Sequence, residues 1–148
     1  MYLDFSMMMQ VFTKVVGLND TELKFQSIST TGNIEQPKGL FLPVLGNGDE
    51  LLKAINHGAI AAVWDASIPI PKYKPTYFPF FLTDNLLTNV ERMLSLYKEK
   101  VLQEEDVKQM SILVDVELLK EKISTYDNSN QFKQILQHME ALAASRRG

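Results

Sequence analysis

The run Ala-Ile-Ala-Ala-Val-Trp at residues 59–64 constrains the fold of this chain more than any other stretch. It contains no polar or charged side chain and lies between Gly58 and Asp65. A half-exposed strand alternates apolar and polar residues, whereas a strand covered on both faces is apolar almost throughout. The run therefore predicts a central β-strand with other elements packed on both faces of its sheet.

The segments on either side of this run alternate between strand and helix patterns. Short apolar segments predict further strands, and apolar residues at spacings of three and four predict helices. The predicted strands are 23–29, 39–45 and 77–82, and the predicted helices are 49–57 and 85–101. This order predicts an α/β fold in which helices pack on a small mixed sheet with at least one parallel crossover.

The N-terminal segment and the segment after residue 101 carry weaker helical patterns. Apolar residues of 5–16 recur at helical spacing and Gly17 follows as a stop signal, which predicts an N-terminal helix. Helix is also favoured over 107–116, because Ile112 and Val116 fit the same spacing. The β-branched sequence SILVDV at 111–116 fits a strand as well, and both structures stay open there.

The C-terminal segment predicts a last amphipathic helix. Its apolar face is formed by Phe132, Ile135, Leu136, Met139 and Leu142. The sequence becomes more charged after residue 101. This change divides the chain into an α/β domain at 1–101 and a helical extension at 102–148, whose tail we expect to fray.

Composition narrows the function classes. The 148-residue chain has a net charge of −3 and no cysteine. This charge provides no basic surface for nucleic acid, and the lack of thiols excludes disulfides and thiolate metal sites. No apolar run approaches the ~20 residues of a membrane helix, and the N-terminus lacks the pattern of a signal peptide. We expect a cytoplasmic protein that binds neither nucleic acid nor membrane.

The polar turn between the first two predicted strands is the strongest candidate for a ligand site. Residues 27–44 have the sequence SISTTGNIEQPKGLFLPV, with hydroxyls and a glycine between two apolar segments. Ligands of α/β folds bind at the carboxyl ends of strands, and this rule also selects the turn after the second strand. The candidate ligand-binding residues are Ser29, Thr30, Thr31, Gly32 and Asn33 in the first turn and Gly46, Asn47 and Gly48 in the second.

Several separated segments resemble one protein family in the same order. The matching residues are Ile28, Ser29, Pro37, Leu40 and Phe41, then AINHGAIAAVWD at 54–65 and FFLTDNLLTNVERMLSLYKEK at 80–100. On these residues the chain resembles the N-terminal domain of the Mur ligases, the bacterial cytoplasmic enzymes that add amino acids to the peptidoglycan precursor. The most similar types add the third residue and the terminal D-alanyl-D-alanine dipeptide. The resemblance implies that domain's α/β fold and its UDP-sugar-binding turn.

The chain departs from this family at the positions on which ligase function depends. The family has Asp-Ser-Arg where this chain has Thr31, Gly32 and Asn33, so the arginine that can pair with phosphate is missing. The loop at 46–49 is shortened and has no histidine. Residues 100–123 contain no glycine, where the family continues into the phosphate-binding loop of its ATPase domain. The comparison with the family therefore implies a stand-alone domain that has a vestigial UDP-sugar site and does not perform ATP-driven ligation.

Other residue patterns do not predict chemistry. His57 precedes Gly58 at a predicted helix end, where an imidazole commonly contacts the last carbonyl groups, and His138 is alone in the last predicted helix. Trp64 could stack on a nucleobase, but strand alternation favours a place in the core. The acidic run 104–106 favours a solvated helix start over a metal site. We predict no catalytic residue, metal ion or cofactor.

Two functions fit these observations. The first is a non-catalytic protein-interaction or regulatory module, linked to cell-wall precursor metabolism through the family it resembles. Its partner protein, or a second copy of the chain, would contact the apolar faces of the helices in 102–143. The alternative is a sensor that binds a UDP-sugar or another nucleotide weakly through the 29–33 and 46–48 turns.

Overall fold

The computed structural model describes residues 2–17, 22–72, 78–103, 111–113 and 129–145. Its strands are β1 (Leu3–Asp4), β2 (Lys14–Val16), β3 (Lys24–Phe25), β4 (Ser27–Ser29), β5 (Gly39–Phe41), β6 (Ala59–Asp65), β7 (Phe80–Thr83) and β8 (Ser111–Leu113). Its helices are α1 (Phe5–Val11), α2 (Leu51–Asn56), α3 (Leu86–Gln103) and α4 (Ser129–Ser145), and a single 3-10 turn, Gly48–Glu50, leads into α2. The mixture of a sheet with packed helices confirms the predicted α/β class.

Among the described residues, the main sheet has six strands in the order β2-β7-β6-β5-β4-β8. All neighbouring strands are parallel except β2 and β7. Strand β6 lies inside the sheet, and the side chains of Ala61, Ala62, Val63 and Trp64 are all buried. The prediction of a buried central strand at 59–64 is therefore confirmed.

Two apolar clusters cover the two faces of the sheet. Alternation along β6 places Ala61 and Val63 in one cluster and Ala62 and Trp64 in the other. The larger cluster contains the buried residues of α1, α3 and α4, whereas the smaller one contains Leu51 and Ala54 of α2. The sheet is thus the middle layer between three helices and one short helix.

The predicted helix at 5–16 is correct only in its first part. Helix α1 ends at Val11, and its first turn is capped by Asp4, whose Oδ1 accepts a hydrogen bond from the Met7 N–H at 3.0 Å. Residues 14–16 instead form β2, antiparallel to β7 with Val15 opposite Phe81. Adjacent β-branched residues suit a strand, and pairing with β7 satisfies backbone groups that a longer helix would have bonded internally.

The second difference concerns residues 111–113, where helix was favoured. They form β8, parallel to β4 with Ile112 opposite Ile28, so the helix prediction is wrong there and the strand alternative is correct. Strand β4 would otherwise present an unpaired row of N–H and C=O groups, and β8 covers that edge. The remainder of 107–116 lies outside the described residues.

Helix α4 confirms the predicted apolar face of the C-terminal segment. Phe132, Ile135, Leu136, Met139 and Leu142 are all buried, and they belong to the same cluster as α1 and α3. The described residues after 110 therefore share a sheet and a core with the rest of the protein. Helix α3 continues to Gln103, past the predicted domain boundary, which stays a prediction. Within the described ranges, none of the helices combines the length and the apolar character needed to cross a membrane.

Candidate functional site

A cleft of about 550 Å³ opens at the carboxyl ends of β5, β6 and β7. Four separate segments build it: the loops that follow these three strands, and the first turn of α4. Its apolar lining is Pro43, Val44, Trp64, Ile68, Leu86 and Leu87, and its polar lining is Asp65, Asp84, Asn85 and Gln131. Gly46 and Gly48 complete the wall on the β5 side. A cavity of this size accommodates a small molecule, and the carboxyl edge of parallel strands is where α/β folds bind ligands.

The indole of Trp64 is held rigidly in the wall of the cleft. Its Nε1–H donates to the Ile68 carbonyl at 3.1 Å, and its ring meets Phe80 edge-on at a centroid distance of 5.5 Å. A Cβ at Gly48 would lie 3.2 Å from the indole Cη2 atom, so a glycine is what lets the 46–48 loop approach the ring this closely. The tryptophan therefore provides a fixed apolar surface.

The polar groups of the cleft are positioned by short-range hydrogen bonds. Asp65 Oδ1 accepts from both the backbone N–H and the hydroxyl of Ser67, at 2.9 Å and 2.7 Å, which shapes the turn after β6. Asn85 caps α3 by accepting from the Thr88 N–H at 3.4 Å. Gln131 of α4 donates to the Thr88 hydroxyl at 2.6 Å and so joins the first turns of the two helices.

The electrostatics of the cleft favour a ligand without negative charge. Two carboxylates line it, and its described lining contains no lysine, arginine or histidine. Asp84 precedes the first residue of α3, Leu86, by two positions, so it lies near the positive end of the helix dipole. A ligand that brings ammonium or hydroxyl donors would find acceptors here, together with apolar surface for a ring or carbon chain.

The predicted site residues divide between this cleft and a second, closed location. Gly46 and Gly48 line the cleft, whereas the 29–33 turn does not. Ser29, Thr30 and Thr31 are buried, and Asn33 is exposed. The Ser29 hydroxyl donates to the Thr31 carbonyl at 2.7 Å and accepts from the Thr31 N–H at 3.1 Å, so its polar capacity is used within the turn.

Asn47 and Glu50 hold the two predicted turns together. The Asn47 side-chain amide donates to the Thr30 carbonyl at 2.8 Å, which brings the two turns into contact. Glu50 Oε1 accepts from the Gly32 N–H at 2.8 Å and from the Thr31 hydroxyl at 3.1 Å. The donors that a ligand would need in the 29–33 turn are therefore engaged by the chain itself.

Sequence reasoning missed most of the polar groups that line the cleft. Trp64 was assigned to the core, and it is indeed 3% exposed, but it also lines the cavity. Asp65 ends β6, and Asp84 and Asn85 directly follow β7, so applying the strand-end rule to those two strands would have identified them. Gln131 carries no such signal, because a polar residue on a distant helix reveals nothing about where that helix packs.

The two histidines act within the fold. The His57 ring is 2.8 Å from the Lys53 carbonyl through Nδ1, which confirms the predicted contact at the end of α2. His138 Nε2 lies 2.8 Å from Glu91 Oε1 and joins α4 to α3. In the part of the chain that the structure describes, no three His, Asp or Glu side chains are grouped so that they could hold a metal ion.

A comparison with known protein families and with curated proteins finds no match to this chain in either. The resemblance to the Mur ligase N-terminal domain therefore stays a prediction from the sequence. The cleft and the closed turn are the structural observations from which function can be inferred.

Proposed function

We propose that this chain is a non-catalytic regulatory module that binds a small polar ligand in the cleft at the carboxyl ends of β5, β6 and β7. The observation that carries the proposal is a 550 Å³ cavity in which an apolar wall faces side-chain oxygen atoms from three segments. Ligand sites are typically cavities of about 300–1,000 Å³ with mostly apolar walls and a few convergent polar groups.

The lining of the cleft favours an amine or a polyhydroxyl compound of sugar to nucleoside size. Asp65 and Asp84 would accept hydrogen bonds from ammonium or hydroxyl groups, while Asn85 and Gln131 can both donate and accept. Trp64 lines the cavity and offers apolar surface to the apolar part of the ligand. Such a ligand would use every type of group that the cavity presents.

A UDP-sugar, the alternative ligand, fits this lining less well. Its diphosphate would lie beside two carboxylates with no arginine or lysine among the described lining residues. Two like charges 4 Å apart near a protein surface repel each other by about 4 kcal/mol. The second location, at 29–33, offers a diphosphate donors that the chain already uses, since the Thr31 hydroxyl and the Gly32 N–H both bind Glu50.

The arrangement of polar groups supports binding more than catalysis. General acid–base or nucleophilic chemistry needs a nucleophile and a base in mutual hydrogen-bond contact. Asp65 instead holds a turn through Ser67, and Asn85 caps α3. The sequence also lacks the glycine-rich loop with lysine that an ATP-driven ligation would require.

The proposal also includes a protein partner, because a non-catalytic module acts by changing the activity of a second macromolecule. Helix α4 is suited to transmit ligand binding, because Gln131 in its first turn lines the cleft. The apolar face of α4 is buried within the chain, so a partner would contact its exposed face, which includes Lys133, Gln134, Gln137 and Glu140. Self-association through the apolar face, as the sequence suggested, would require α4 to leave the core.

The single tryptophan of the chain makes the proposal directly testable, because Trp64 lines the cleft. We would titrate the purified full chain with amino sugars, amino acids, sugars and nucleosides, and in parallel with UDP and UDP-N-acetylmuramoyl compounds. We expect at least one amine or polyol to change the fluorescence of Trp64 and to raise the melting temperature. At ~100 times its dissociation constant, a ligand stabilises the folded state by about 2.7 kcal/mol.

One control variant and two possible results decide the outcome. The variant Glu35→Gln removes an exposed carboxylate outside the cleft lining and should leave the titration unchanged. A response to the UDP compounds that exceeds every amine and polyol would reject the ligand class proposed here and support the nucleotide sensor. If neither the Trp64 fluorescence nor the melting temperature responds to any compound at millimolar concentration, the cleft is rejected as a ligand site.

A further inference from the structure

Glu50 places one carboxylate oxygen where three hydrogen-bond donors from two loops converge. Its Oε1 accepts from the Gly32 N–H at 2.8 Å, from the Thr31 hydroxyl at 3.1 Å and from the Asn47 side-chain amide at 3.2 Å. Backbone, hydroxyl and amide donors directed at one point are the means by which proteins bind external oxyanions. Here the anion at that point is part of the same chain.

The donors are held in place by contacts that do not involve Glu50. The Asn47 amide also donates to the Thr30 carbonyl at 2.8 Å, and the Thr31 backbone is fixed on both sides by the Ser29 hydroxyl. Gln36, which is fully buried, donates its side-chain amide to the Thr31 carbonyl at 2.8 Å. Because these bonds would persist without the carboxylate, the donor geometry is preorganised.

The orientation of the Asn47 amide follows from its neighbours. Rotation of this amide by 180° would set its oxygen against both the Thr30 carbonyl and the Glu50 carboxylate, which are acceptors only. Asn47 is 8% exposed, and its own oxygen Oδ1 has no hydrogen-bond partner among the described residues. The buried amide therefore directs its donor side at the carboxylate and is not free to turn.

Gly32 packs closely against Glu50 and does not border an open ligand site. A Cβ at position 32 would lie 2.4 Å from the Glu50 backbone oxygen and 2.9 Å from the Glu50 Cβ. The glycine thus permits the turn to pack directly against the backbone of the residue that supplies the carboxylate. A turn kept open for an external ligand would have no need of this close approach.

We propose that Thr31, Gly32 and Asn47 form an oxyanion site that Glu50 occupies as an internal ligand. The site binds a small carboxylate or phosphate group from solution only when Glu50 leaves it. This inference goes beyond the proposed function, because none of these four residues lines the cleft and the ligand class is anionic rather than cationic or neutral.

The test is chemical rescue of the variant Glu50→Ala in the full chain. We expect its melting temperature to fall by about 5 °C, because three donors lose a charged acceptor. Sodium formate or acetate at about 100 mM should then recover much of the loss, relative to sodium chloride of equal ionic strength, by filling the site. A parallel titration with phosphate shows whether the site also admits a larger oxyanion.

Wild type and Asp49→Ala are the matched controls. Asp49 lies in the same 3-10 turn and is exposed, so its variant removes an equal charge one residue away. Neither control should gain stability from formate beyond the effect of chloride. A merely structural role of Glu50 would lower the melting temperature of Glu50→Ala with no recovery by any of the three oxyanions, and that result would overturn the proposal.

A second variant keeps the test decisive if Glu50→Ala fails to fold. In Glu50→Gln the side chain keeps an acceptor oxygen but loses its charge, so it should hold the three donors less strongly. Formate should then displace it and shift the Gly32 amide resonance in a ¹H–¹⁵N spectrum, whereas the wild-type resonance should not respond. Equal behaviour of that resonance in Glu50→Gln and wild type would contradict the proposal by itself.

Discussion

The cleft and the 29–33 turn lie next to each other but differ in how their polar groups are used. The cleft presents carboxylates and amides to a cavity of about 550 Å³. In the 29–33 turn, the Gly32 N–H and the Thr31 hydroxyl both donate to Glu50. A turn rich in glycine and hydroxyls is therefore not evidence of a binding site on its own. Such a turn can bind a ligand only if its donors have no hydrogen-bond partner within the folded chain.

The largest difference between the two locations is expected from a matched pair of glycine substitutions. Gly32→Ala forces a Cβ to within 2.4 Å of the Glu50 backbone oxygen, so the turn must move, and we expect a loss of about 3 kcal/mol of unfolding free energy. Gly46→Ala meets nothing within 4 Å and has only to tolerate its positive φ of 71°, at a cost of about 1 kcal/mol.

Urea denaturation of both glycine variants measures this difference. Equal losses would show that the 29–33 turn is no more tightly packed than the loop beside the cleft. The comparison between a closed and an open location would then fail.

The second effect concerns the residue that links the two turns. Asn47→Ala removes both side-chain bonds, to the Thr30 carbonyl and to Glu50, in a buried environment. We expect a loss of about 2 kcal/mol, since buried acceptors are left with fewer partners. Asn33→Ala is the matched control, because Asn33 is exposed and should change stability by no more than about 0.5 kcal/mol. Thermal unfolding that gives the two variants similar midpoints would contradict the linking role of Asn47.

Much of the fold could be predicted because burial on both faces leaves a strong pattern. The apolar run at 59–64 predicted β6, and helical spacing predicted α3 to within a few residues and the apolar face of α4. Strand β2 was missed and β8 was only the open alternative to a helix, because each is short and is determined by its neighbouring strand. Their residues form strands since they complete the edges beside β7 and β4, and such tertiary requirements override weak local periodicity.

The candidate site was predicted less well, for a reason that Glu50 illustrates. Sequence showed donors at 29–33 but not the carboxylate that occupies them, because Glu50 is about twenty residues away and belongs to a different element. Conversely, Asp65 and Asp84 line the cleft only because β6 and β7 are parallel neighbours. Residues that come together through strand order cannot be grouped from spacing along the chain alone.

The third effect tests the bond that joins α4 to α3 beside the cleft. Gln131→Ala removes the hydrogen bond to the Thr88 hydroxyl, and we expect a loss of about 1 kcal/mol. Gln134→Ala, one turn further along the same helix, changes an exposed side chain and should be nearly neutral. A ligand that binds wild type should also bind Gln131→Ala more weakly than Gln134→Ala. Identical stability and binding in the two variants would exclude α4 from the site.

The smallest effect on stability, and the most specific effect on binding, is expected from Asp84→Asn. The side chain is exposed and precedes α3, so the loss of a favourable charge near the helix N-terminus should cost about 0.5 kcal/mol or less. Its affinity for an amine should nevertheless fall about tenfold, since a charged acceptor becomes neutral and tenfold corresponds to about 1.4 kcal/mol.

The contrast with the closed location sharpens this last prediction. Removing the charge of Glu50 by Glu50→Gln should change stability more than it changes amine binding, because that carboxylate acts on the fold and not on the cleft. Titration of Trp64 fluorescence with the same amine, combined with thermal unfolding, gives both quantities for each variant. If Asp84→Asn lost stability and kept its affinity while Glu50→Gln did the reverse, the assignment of ligand binding to the cleft and of internal closure to the turn would be inverted.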